Sequence, residues 1–328
     1  MLRTSNFTTS VLGTDFVRGS RRMRLVIGAL VALLAVDSAG VRQAAACPFC
    51  SAAQMTLSED MRANDVAVIC KLVNRPEKQA ADAPPEASEC TFEIVQAIKG
   101  AEILAKQPDP KNIKILYFGD RPIGSKFLAF GIDPMNLAWG TPTLLGERAL
   151  TYVTQLPGLP MSGPQRLVFF QNYFEDTDSL LASDAYDEFA KAPYTDLKGM
   201  KDQMQHDKLV AWIKDPAVST TRRRLYLCML SVCGTAADIP VLEAMIQNPD
   251  RGMRTALDAT IGCYLALKGP EGLPLVENLF LKNPKSEYTD TYATIMALRF
   301  MGQESEVISR DRLKEAMRHM LDQPKLAD

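Results

Sequence analysis

Three ten-residue stretches in the C-terminal half of the chain can be laid one over another. They are Leu225-Tyr-Leu-Cys-Met-Leu-Ser-Val-Cys-Gly234, Thr260-Ile-Gly-Cys-Tyr-Leu-Ala-Leu-Lys-Gly269 and Ala293-Thr-Ile-Met-Ala-Leu-Arg-Phe-Met-Gly302. Their final glycines stand 35 and 33 residues apart. Leu230, Leu265 and Leu298 fill one column, and Cys228, Cys263 and Met296 fill another. Such apolar spacing predicts helices. Each glycine is expected to end its helix in the left-handed conformation. A second helix follows, where Ile239-Pro-Val-Leu-Glu243 matches Leu273-Pro-Leu-Val-Glu277, with proline in the first turn. Residues 312–321 read as the second helix of the third unit. A two-helix unit of this length cannot bury its apolar faces alone. It must stack on its neighbours, as in an α-solenoid. Residues 167–174, 183–190 and 208–213 show helical spacing more loosely.

The repeat columns resemble the HEAT/armadillo class over residues 165–328. That resemblance implies an all-α superhelix whose surface docks a protein partner. Ahead of it the pattern changes. Asp65-Val-Ala-Val-Ile-Cys-Lys-Leu-Val73, Cys90-Thr-Phe-Glu-Ile-Val-Gln-Ala-Ile98, Ile113-Lys-Ile-Leu-Tyr-Phe118 and Lys126-Phe-Leu-Ala-Phe130 read as four short strands, with a helix at 57–63 before the first. Turn signals between short strands predict a small barrel or sandwich. Pro84-Pro85 makes residues 75–89 a loop. The expected class is therefore α+β multidomain, a small OB-like β-barrel at 47–141, a linker with a helix at 142–164, and a HEAT-like solenoid at 165–328.

Residues 1–46 read as a signal peptide, with Met23 as an alternative start. Arg21, Arg22 and Arg24 precede an apolar run at 25–36, and Ala44-Ala45-Ala46 supplies the cleavage site. The run is too short to cross a bilayer, which takes about 20 residues. The mature chain is expected to start at Cys47 in the periplasm or outside the cell, with no transmembrane segment. A lipid anchor on Cys47 is the alternative. It is disfavoured because Ala44 stands where a lipoprotein signal carries Leu. The leader holds six of the 37 basic and two of the 39 acidic residues. That leaves 31 against 37, a net charge of −6. Without a basic stripe to displace counterions from phosphates, nucleic-acid binding is not expected. The one basic cluster, Arg222-Arg223-Arg224, reads as the solvated first turn of a helix.

Cys47-Pro-Phe-Cys50 opens the mature chain. With Cys70 and Cys90 it makes an even set of four in an exported domain, which predicts two disulfides. Three connectivities remain open. Cys70 with Cys90 across neighbouring strands is one. Cys47 and Cys50 tied separately to those strands, anchoring the N-terminus to its own sheet, is the runner-up. Cys228, Cys233 and Cys263 read as small buried apolar residues. A thioredoxin-type use of Cys47 and Cys50 is the redox alternative, although no strand precedes them. Covalently attached haem, which needs Cys-x-x-Cys-His, is excluded because Ser51 follows Cys50.

The Cys-rich start, Asn64-Asp-Val-Ala-Val-Ile69, Ile98-Lys-Gly100 and Gly124-Ser-Lys-Phe-Leu-Ala-Phe130 resemble the netrin-like module of tissue inhibitors of metalloproteinases, an OB-type barrel. That family starts Cys-x-Cys, whereas this chain has Cys-x-x-Cys. The resemblance implies metalloprotease inhibition through the amine and carbonyl of Cys47. The whole layout also resembles uncharacterised exported repeat proteins of planctomycete-type bacteria.

Nothing in the sequence converges on catalysis. His206 and His319 lack a nucleophile pattern. Glu175-Asp-Thr-Asp178 lacks the glycine and distal glutamate of a calcium loop and reads as a turn or helix cap. Asp184, Asp187 and Glu188 read as the wet side of an amphipathic helix. Trp139 and Trp212 read as packing residues. No catalytic residue, cofactor-binding residue or metal ligand is assigned, so the expected function is non-enzymatic protein binding or scaffolding.

Overall fold

The computed structural model describes residues 49–50, 53–75, 88–250, 252 and 254–321. The stretch read as a signal peptide, Cys47 and most of the Pro-rich loop lie outside them. Helix α1 (Leu57–Ala63) leads into β1 (Val66–Asn74), β2 (Ser88–Lys99), the short α2 (Ala101–Leu104), β3 (Asn112–Tyr117) and β4 (Lys126–Ile132). Two brief strands that sequence reading missed, β5 (Ala138–Trp139) and β6 (Thr143–Leu145), both pair with β4. The antiparallel order β3-β2-β1-β4-β5 makes a nearly closed, barrel-like sheet. Register shifts in β1 at Ala67/Val68, Ile69/Cys70 and Leu72/Asn74 are what curl it.

Alternation along β1 gives the sheet two buried faces. Val66, Val68, Cys70 and Leu72 point into the barrel, with Phe92, Ile113, Ile115 and Phe127. Phe92, Tyr117 and Phe127 meet edge to face there, at centroid distances of 5.3 to 6.0 Å. Ala67, Ile69 and, from β4, Leu128 point the other way and join the helical core. The barrel's outer wall is thus the floor of the helical half.

The helices are α3 (Glu147–Gln155), α4 (Pro164–Phe170), α5 (Ser179–Lys191), α6 (Tyr194–Gly199), α7 (His206–Lys214), α8 (Thr220–Cys233), α9 (Ile239–Ile246), α10 (Leu257–Lys268), α11 (Leu273–Val276), α12 (Tyr288–Glu304) and α13 (Arg310–Arg318). α8, α10 and α12 carry the three matched stretches and pack side by side. Their column residues Leu230, Leu265 and Leu298 are all buried.

The glycines do not share one role. Gly269 does end α10 with φ +71°. Gly234 ends α8 with φ −67°, so left-handed backbone is not its reason. A Cβ there would come within 2.5 Å of the Leu230 carbonyl oxygen and 2.8 Å of Leu267 Cδ1 on α10, so crowding by the last turn of its own helix, with α10 close by, requires it. Gly302 lies inside α12, which runs to Glu304. α11 continues into a π-helical turn, Glu277–Leu281. That turn buries Glu277, which pairs with Lys282 at 2.9 Å and with Arg312 of α13 at 2.5 Å.

The basic cluster is not solvated. Arg222 meets Glu175 at 3.2 Å, and Arg224 meets Asp258 of α10 at 3.0 Å. One unit further on, Arg254 meets Asp290 of α12 at 3.0 Å. Ion pairs thus link α8 to the start of α10, and the turn just before α10 to the start of α12.

Candidate functional site

Asp178 caps α5 by accepting the Leu180 N–H, which settles the Glu175–Asp178 stretch as a helix cap. On α5, Asp184, Asp187 and Glu188 fall at i, i+3 and i+4, on one face. That face is not wet: the three residues are only 5, 8 and 8 % exposed. The reason is the segment that follows the Cys-Pro-Phe-Cys motif, which lies across them. Asp184 accepts the Leu57 N–H at 2.7 Å and the Tyr152 hydroxyl at 2.5 Å. Asp187 accepts the Gln54 N–H at 3.2 Å. Lys191 pairs with Glu59. Glu59 also closes a capping box with Thr56 at the start of α1. Glu188 forms a bidentate pair with Arg166 of α4 at 2.6 and 3.0 Å. The acidic stripe is therefore the cradle of residues 54–59.

Beside this cradle, Gln54, Met55, Ser183, Asp184, Asp187 and Arg222 line a cleft of about 540 Å³. Burial raises the Asp184 carboxyl to about 6, against the lowering effect of its two hydrogen-bond donors. Burial also raises Asp187. Carboxyls with raised pKa values in a cleft are the pattern of an acid–base site. Here, however, each one accepts from the chain's own backbone, and Tyr152 is kept protonated by burial and by the charge of Asp184. The arrangement works as a latch.

Its titration is testable. Asp184 has a folded-state pKa above its ordinary value of 3.8. Its contribution to stability is therefore complete below that value and is lost as pH rises toward about 6. A carbon-detected NMR titration is expected to place its midpoint near 6. Wild type is expected to gain stability over Asp184→Asn as pH falls from 6 to 4. A midpoint near 4 would mean the carboxyl is solvated.

Phe49 of the motif docks on helices, not on the sheet. Phe49 is buried against Phe300 of α12, centroids 4.8 Å apart. Its ring fills the notch left by Gly262 of α10. The expectation that this end is anchored to its own strands is corrected accordingly. Cys50 is disulfide-bonded and half-buried; Cys47 lies outside the described residues. Cys70 and Cys90 are free thiols inside the barrel, so neither the cross-strand pair nor separate bridges to Cys47 and Cys50 form. Register explains the first absence. Ile94 stands opposite Cys70, and Cys90 is four residues, or about 13 Å, further along β2. A disulfide tolerates about 7 Å between Cα atoms. Burial pushes Cys70 and Cys228 up to about 12 and Cys233 to about 11, and raises Cys90 and Cys263 as well. None of these five is an activated nucleophile.

The histidines stay apart. His206 sits between Asp238 at 3.0 Å and Asp207 at 3.1 Å, and His319 lies 3.8 Å from Glu277. Among the described residues no group of three or more His, Cys, Asp or Glu side chains is placed to hold a metal ion. Trp212 packs on Phe174 and Tyr226 as a core residue. The latch escaped sequence reading. An acidic stripe at i, i+3, i+4 looks the same whether water or a distant segment covers it. Comparison of the chain with protein-family models, curated proteins and solved structures finds no match.

Proposed function

We propose that this chain is an exported, non-enzymatic binding scaffold, an OB-like barrel fused to a HEAT-like solenoid whose helical surface docks a protein partner. The observation that carries the reading is a pair of stacked tyrosines. Tyr288 and Tyr292 open α12 with rings 6.3 Å apart and 21° from parallel, and they are 69 and 52 % exposed. Tyrosine offers large contact area at low entropic cost, which is why it is enriched in binding hot spots. The polar groups of the acidic cleft, by contrast, are engaged in holding the chain to itself. A photo-crosslinking residue in place of Tyr292, in cells, is expected to give one discrete protein adduct that Tyr288→Ser abolishes. No adduct, or one indifferent to Tyr288, sinks the reading.

The disulfide at Cys50 favours one second reading, a thiol–disulfide oxidoreductase. With five cysteines free, Cys47 is its proposed partner across Pro48 and Phe49. Acceleration by the purified protein of insulin reduction by dithiothreitol, lost in Cys50→Ser, would replace the scaffold reading. Non-reducing peptide mapping with intact mass tests the Cys47–Cys50 pairing and the cleavage after Ala46 together.

A further inference from the structure

Arg223 is the middle residue of the basic cluster and behaves unlike its neighbours. Arg222 and Arg224 each have a carboxylate. Arg223 is only 8 % exposed, and its guanidinium contacts are neutral. It donates to the carbonyl oxygens of Asp215 at 2.7 Å and Val218 at 3.2 Å, and to the Thr255 hydroxyl. Its Nε has no partner. Burial lowers the Arg223 pKa, outweighing the Asp215 carboxylate, which favours the charge through space. With no carboxylate among its hydrogen-bond partners, the desolvation is offset only in part.

The surroundings supply a place for the missing anion. Arg223 lines a cleft of about 450 Å³ between the start of α8 and the side of α9. Among the described residues no acidic one lines that cleft, and Lys214 and Arg223 are the charged ones that do. Ser219 and Thr220, also in its wall, form the N-terminus of the fourteen-residue α8. The first N–H groups of a helix lack intrahelical acceptors and carry its positive dipole end. Ile213, Val241, Ala244 and Met245 add apolar side chains to its lining, beside Asn248 and Thr255.

We propose that this cleft binds a small amphiphilic carboxylate, its head on Arg223 and the start of α8 and its aliphatic chain along Val241 and Met245. The site is independent of the tyrosine surface and of the disulfide, so it stands or falls apart from the scaffold reading. The probe is decanoate, titrated into the full mature protein by calorimetry, with decanol and inorganic phosphate as controls. Saturable binding of decanoate, with decanol and phosphate each at least tenfold weaker, is the expected result. Arg223→Lys keeps the charge but loses the planar fork, and is expected to weaken decanoate about tenfold. Met245→Glu sets a carboxylate among these apolar side chains at a half-buried position, and is expected to abolish binding with the fold retained. It keeps the test valid where Arg223→Lys does not fold. No saturable decanoate binding, binding unchanged in the folded variants, or phosphate binding as tightly as decanoate would each overturn the proposal.

Discussion

Phe49→Ala is expected to cost about 3–5 kcal/mol of folding stability, the range for emptying a large buried aromatic site. The ring is 5 % exposed, and its nearest aromatic neighbour, Phe300, also contacts Tyr194 at 5.5 Å. Its space has been made by deletion elsewhere. A Cβ on Gly262 would stand 3.0 Å from Phe49 Cζ and 3.2 Å from Phe300 Cδ1. Gly262→Ala must therefore push one ring aside, and should destabilise too, by about 1–3 kcal/mol. Because the two changes act on one contact, their costs should not add. Urea unfolding of both single variants and the double reads this directly. A loss below about 1 kcal/mol for Phe49→Ala would show that the motif is not seated in the helical core.

Glu188→Ala is the second large effect, about 3–5 kcal/mol. Glu188 and Arg166 side chains are 8 and 7 % exposed, and the guanidinium lies 4.9 Å from the centre of the Phe170 ring. Removing the carboxylate strands a positive charge between α4, α5 and residues 54–59. Replacing both partners with apolar residues, Arg166→Met with Glu188→Leu, leaves no charge to solvate, so the double variant should lie close to wild type. The comparison by urea unfolding separates the desolvation cost from the value of the pair. A double variant as unstable as Glu188→Ala would mean that packing, not charge, is what Glu188 supplies.

The architecture was legible where short-range pattern decides it. Leu230, Leu265 and Leu298 are buried in helices that pack side by side, and the four expected strands form within a few residues of their anticipated ends. The same reading failed where distant segments meet. The backbone N–H groups of Gln54 and Leu57 that cover Asp187 and Asp184 come from 133 and 127 residues away. No local periodicity records them. Arg222 and Arg224 were misread for the same reason, since their carboxylates, Glu175 and Asp258, are 47 and 34 residues away. Cys70 and Cys90 were misjudged by counting from the loop between them, whereas three register shifts in β1 set the alignment. Gly234 and Gly302 occupy repeat columns without sharing a backbone role with Gly269. A column preserves packing, and only sometimes conformation.

Phe49 and the segment at residues 54–59 that lies across α5 also have a kinetic meaning. Their partners are spread from Asp184 to Phe300, so the first described residues cannot settle until nearly all the helices exist. Contacts of such high sequence separation are closed late, after loop entropy has been met by other structure. During synthesis from the N-terminal end, the Phe49 ring and residues 54–59 wait undocked while the acidic stripe stands open. The groove that the finished molecule hides is thus a vacant peptide site for much of the chain's folding, one that a chaperone or a second copy of the same segment could fill first.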